Sequence, residues 1–111
     1  MNKLLVALGL AATLSSITGA HLAAQQSPAA AAYKRDVPAR LLAQTKISED
    51  SARTVALARV PGATVTALEL EREGGRLIWS FDLTVAGKSG IEEVTVDAVT
   101  GKIVGVQHES H

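Results

Sequence analysis

The sequence predicts an α+β domain: a four-stranded antiparallel sheet packed by one main helix and a short preceding helix. Three observations predict it. Apolar residues recur at helical spacing from Ala52 to Val60 and stop at Pro61-Gly62. From Thr64 onward the apolar period falls to two. The four runs that follow are joined by links of hairpin length, which leave neighbouring strands antiparallel.

The short helix is expected to start at Asp36, a cap, with Pro38 in the first turn, where a missing N–H does no harm. It would carry Leu41 and Leu42 inward and run to about Thr45. The main helix has Ser48 as its cap, with Glu49 and Asp50 in the first turn, where the helix dipole favours acids. Ile47 is placed to pack back on Ala52 as a hydrophobic staple. Ala52, Val55, Ala56 and Val60 form the buried stripe, and its small residues let the helix lie close on a sheet. Glu49 and Arg53 stand at the spacing of a favourable i, i+4 pair. Arg59 falls near the stripe but in the last turn, where its head reaches water or the terminal carbonyls.

The first strand, within Thr64 to Glu73, sets Leu68 and Leu70 against Glu69 and Glu71. Gly74-Gly75 is a two-residue turn tolerant of positive φ. The second, Arg76 to Val85, aligns Leu77, Trp79, Phe81, Leu83 and Val85 on one face, with Ile78 the exception on the other. Residues 86–90 are a loop. Ile91 to Ala98 is the third strand, Asp97 to Lys102 a turn opened by Asp97 and closed by Gly101, and Ile103 to Gln107 the last strand.

Ahead of this unit, Lys3, the apolar run Leu4 to Leu14 and the small residues Thr18-Gly19-Ala20 and Leu22-Ala23-Ala24 have the layout of a secretory signal peptide over residues 1–24. Cleavage fits after Ala20 or Ala24. The run is shorter than the roughly 20 residues of a spanning helix, so no stable membrane anchor is expected. Residues 25–36 read as a flexible linker and residues 37–108 as the folded domain. The chain is expected to be exported, to the periplasm or the outside.

Composition removes several functions. The chain has 111 residues, room for one domain, and its formal charge is zero. Binding of nucleic acid by bulk charge is therefore not expected. It has no cysteine, which excludes a disulfide scaffold, a thiol nucleophile and a Cys-ligated metal. Tyr33, Trp79 and Phe81 are its aromatics, too few for a base-stacking platform.

Four features invite a chemical reading. His108-Glu109-Ser110-His111 reads either as a metal clip or as a frayed polar tail; without another ligand cluster the tail is favoured. Glu69, Glu71 and Glu73 share one strand face. They read as an acidic patch for a basic partner or as a solvated face paired across strands with Arg72 and Arg76, and the second is favoured. Glu92 and Glu93 point to opposite faces and make no dyad. Gly87-Lys88-Ser89-Gly90 lacks the first glycine and the following helix of a phosphate loop. No catalytic, cofactor-binding or metal-ligating residue is assigned, no cofactor is expected, and the chain is not expected to be an enzyme.

A family likeness is carried by Leu42-Ala43-Gln44-Thr45-Lys46-Ile47-Ser48, Ala52, Ala56, Val60-Pro61-Gly62, Leu68-Glu69-Leu70-Glu71 and Gly75-Arg76-Leu77-Ile78-Trp79-Ser80-Phe81. It closes on Val94-Thr95-Val96-Asp97-Ala98-Val99-Thr100-Gly101-Lys102-Ile103. From about residue 40 to 107 this ordered set resembles a PepSY domain. The resemblance implies a small exported module without catalytic residues that inhibits or regulates a peptidase, so the implied partner is another protein, a peptidase among the candidates. The quoted residues look architectural. The alternative reading is a ligand- or metal-binding sensor or carrier of the envelope, using the open sheet face or the His tail.

Overall fold

The structure, a computed structural model, describes residues 33–110. The predicted signal peptide, the linker residues 25–32 and His111 lie outside the described residues. The elements are β1 (Lys34–Asp36), α1 (Ala39–Leu42), α2 (Glu49–Arg59), β2 (Ala63–Glu73), β3 (Arg76–Val85), β4 (Ile91–Asp97) and β5 (Ile103–Glu109). The strands form one sheet in chain order, β1 to β5, and α2 packs across β2, β3 and β4.

The expected α+β architecture is present, but the sheet has five strands and is mixed. The added strand, β1, pairs parallel to β2 opposite Ala67–Glu69, while the other pairings are antiparallel. Its residues were expected in a linker because Lys34-Arg35-Asp36 shows no apolar alternation. All three are exposed, and the strand is held by its main chain and by side chains reaching α2. Tyr33 Oη donates to Glu49 Oε2 (2.7 Å), the Arg35 guanidinium donates to both Glu49 oxygens, and Arg53 Nη1 donates to Tyr33 Oη (3.0 Å). Glu49 therefore pairs with Arg35 rather than with Arg53, whose other donor meets Asp50 at 2.8 Å. The distant partner wins because Arg35, on a paired strand, and Tyr33, just before it, arrive together.

Asp36, inside β1, does not cap α1. Pro38 takes the cap position, and the helix ends at Leu42 without reaching Thr45. A single turn has one inward face, so Leu41 is buried and Leu42 is 46% exposed. The main helix starts as predicted: Ser48 Oγ accepts from Ser51 N at 3.1 Å. Ala52 and Ala56 are fully buried against the sheet, Val55 and Val60 pack on the core, and Arg59 is exposed.

The hairpin turn sits at Gly74 (φ 59°) and Gly75 (φ 80°), between the opposed Glu73 and Arg76. In β3, Leu77, Trp79, Phe81 and Leu83 enter the core beside Leu68, Leu70, Val94 and Val96, as the period-two pattern predicts. Ile78 and Ser80 are also buried, on the opposite face, because β3 is the central strand.

The Asp97–Lys102 turn closes one end of this core. Asp97 Oδ1 accepts from Val99 N (2.7 Å) and Thr100 N (2.9 Å), and Asp97 N donates to the Lys102 carbonyl (2.8 Å). The Ala98 carbonyl accepts from Lys46 N and Ile47 N, both at 2.9 Å. The indole N–H of Trp79 donates to the Ile47 carbonyl, also at 2.9 Å. Ile47 is thus fixed by the turn and by Trp79, immediately before the α2 cap.

Candidate functional site

The face of the sheet opposite α2 gathers carboxylates by register alone. In β2, Glu69, Glu71 and Glu73 stand opposite Ser80, Ile78 and Arg76 of β3. On the next strand pair, Asp82 stands opposite Glu93, and Glu93 opposite Gln107 of β5. Asp36 lies beside Glu69 at one edge, and Glu109 closes the other, opposite Ile91.

The expected cross-strand pairing holds in part: Arg76 stands opposite Glu73 on this face, whereas Arg72 meets none of the glutamates. Arg72 lies between Glu71 and Glu73 in the chain, so strand alternation turns it to the helix side, where it donates to Gln44 Oε1. Arg76 stands opposite Glu73, but its Nε lies 3.7 Å from Asp97 Oδ2. This parity argument was available in the sequence.

The carboxyl groups record the crowding. Burial, then the charges of Glu69, Glu73, Glu93 and Asp36, raise Glu71 from its ordinary value. Burial and then Glu109 raise Asp82. Glu93 is raised by burial and then by Asp82 and Glu109, and a 3.5 Å hydrogen bond from Ser80 Oγ only partly offsets this. Elsewhere the sign reverses. Hydrogen bonds from the Thr100 and Val99 amides hold Asp97 low. Burial alone would raise Glu49, but the hydrogen bonds from Arg35 and Tyr33 and the charges of Arg35 and Arg53 bring it down.

Between Glu73, Arg76, Ile78 and Glu93 on one side and Val104, Gly105 and Gln107 on the other runs a groove of about 360 Å³, with Arg76 as its own cation. Gly105 lowers its β5 wall, and a Cβ there would meet Thr95 Oγ1 at 2.9 Å. Beyond this wall, β5 forms one edge of the sheet along its full length, with Val104 (38%) and Val106 (37%) exposed. At the opposite edge, β1 covers Ala67–Glu69 of β2.

The predicted tail residues are drawn apart. His108 Nδ1 lies 2.8 Å from Glu92 Oε1 on the helix side, whereas Glu109 faces the acidic side. Glu92 and Glu93 point to opposite faces, as expected. Among the described residues no three His, Asp or Glu side chains are grouped to hold a metal ion.

A family profile described as the peptidase propeptide and YPEB domain, PepSY, matches residues 46–107. The chain belongs to the PepSY family. No curated protein and no solved structure matches it. The matched span runs from the Lys46-Ile47 clasp through α2 to β5, and it leaves β1 and α1 outside. Ser48, Trp79, Asp97 and Gly101 of this PepSY domain serve as cap, core, turn opener and turn closer. Among the described residues no helix is long and apolar enough to cross a membrane.

Proposed function

We propose that this PepSY chain is an exported, non-catalytic module that binds an extracytoplasmic peptidase and restrains it. Membership of a family described by peptidase propeptides carries the reading. Two features support it. The recognisable residues are absorbed in caps, core and turns, which serves a shape that grips rather than reacts. The acidic face and the β5 edge offer a surface outside that architecture. Export rests on the leader-like residues 1–24, and its test is fractionation with N-terminal sequencing, which should find a mature start after Ala20 or Ala24.

The functional test is a peptidase activity assay with and without the chain, across metallo- and serine peptidases. Saturable inhibition of at least one extracytoplasmic enzyme is expected. No effect across the panel would overturn the proposal.

A further inference from the structure

We propose that the β5 edge, unpaired among the described residues, receives an extended segment of the partner as a sixth strand, and that this segment carries basic residues at alternate positions. The inference rests on the regulatory reading above and adds the contact to it.

The two edges of the sheet are unequal. Lys34-Arg35-Asp36 of β1 is short, charged and exposed, the usual form of an edge protected against pairing. β5 runs for seven residues without proline; its register irregularity falls at Val104, and Gly105 to Glu109 keep a regular register with β4, so the stretch from Gly105 can receive an added strand, with Glu109 as its charge. Gly105, required by the Thr95 hydroxyl beside it, leaves no side chain standing between an added strand and the groove.

Register supplies the chemistry. Side chains of an added strand opposite Gly105, Gln107 and Glu109 fall on the acidic face, and the intervening ones lie beside Val106 and His108. The added strand stands two strand spacings, about 10 Å, from β4. A lysine or arginine opposite Gly105 crosses the low wall into the groove toward Glu93, while the far end of the groove, at Glu73, already holds Arg76. The raised Glu71, Asp82 and Glu93 are what a cation on this face would relieve. A second copy is a poorer occupant. Antiparallel pairing of β5 with itself about a two-fold axis would make both acidic faces continuous, joining like charges.

The test uses the full chain and two synthetic peptides of about nine residues, one alternating lysine with valine, the other glutamate with valine. The lysine peptide is expected to bind, to slow amide exchange within Ile103–Glu109 by at least about tenfold, and to weaken at least about fivefold from 0.05 to 0.5 M salt. Glu93→Gln/Glu109→Gln should weaken it by a similar factor without lowering Tm, while the glutamate peptide should not bind. Equal binding of both peptides, protection at β1 and β2 instead of β5, or self-association through β5 would each overturn the inference. A peptidase inhibited equally by the chain and by the double variant would overturn this contact and leave the regulatory reading standing. Strand addition with no peptidase affected would do the reverse.

Discussion

Trp79→Ala strikes the fold where two of its supports coincide. The side chain is fully buried at the centre of the sheet, and its N–H satisfies the Ile47 carbonyl at 2.9 Å. Truncation of a buried tryptophan costs about 3–5 kcal/mol. Leaving a carbonyl partner unpaired adds about 1–3 kcal/mol. A domain of this size holds roughly 4–12 kcal/mol in all, so Trp79→Ala should lose a third or more of its stability, with Tm falling by tens of degrees or the fold lost. Trp79→Phe keeps most of the apolar volume and loses the hydrogen bond, so a smaller loss of about 1–3 kcal/mol is expected. Urea unfolding followed by circular dichroism measures both, since Trp79 is the only tryptophan and its fluorescence disappears with it. A loss under about 1 kcal/mol for Trp79→Ala, with an unchanged m value, would refute the buried placement and invert the sheet faces.

Stability should respond to pH in two opposed ways. Glu71, Asp82 and Glu93 are raised, so the folded state holds their protons more firmly, and Tm at low salt should climb as pH falls from neutral toward the ordinary carboxylate range. Glu49 and Asp97 are lowered, so the stability they give is present above the ordinary carboxylate range and is lost as pH falls through their folded values, with Tm turning down below about pH 4. A Tm that only falls from pH 7 downward would contradict the acidic crowding. Glu49→Gln should cost about 0.5–1 kcal/mol and speed amide exchange in Lys34–Asp36, because it removes the charge and one of the two acceptor oxygens that hold Tyr33 and Arg35; unchanged exchange would show that β1 is held by its backbone alone. Gly87 and Gly90 share a left-handed φ, but a Cβ at Gly90 would lie 2.6 Å from the Glu109 carbonyl oxygen, whereas none lies within 4 Å at Gly87. Gly87→Ala should cost about 1 kcal/mol and Gly90→Ala at least about 2 kcal/mol; equal losses in thermal melts would argue against the packing of that loop on β5.

The main helix, the glycine hairpin and the buried stripe of β3 were legible because each leaves a local mark. Ser48 stands before an acidic first turn, Gly74-Gly75 between alternating runs, and apolar residues fall at period two from Leu77 to Leu83. The turn of Arg72 to the helix side was legible by the same alternation, although its neighbours suggested an ion pair. β1 left no such mark. A strand of three exposed charged residues exists only because β2 offers it a backbone partner and α2 presents Glu49 to Tyr33 and Arg35.

By itself the sequence determined the α+β class, the helix boundaries at Ser48 and Pro61-Gly62, and the family likeness, because caps, turns and hydrophobic period act over a few residues. The tertiary structure alone decided that β1 completes the sheet, that β5 is the long open edge, and that glutamates from β2, β4 and β5 share one face with Asp36 and Asp82. Those facts depend on which strands meet and in what register, and register is set by contacts between residues far apart in the chain.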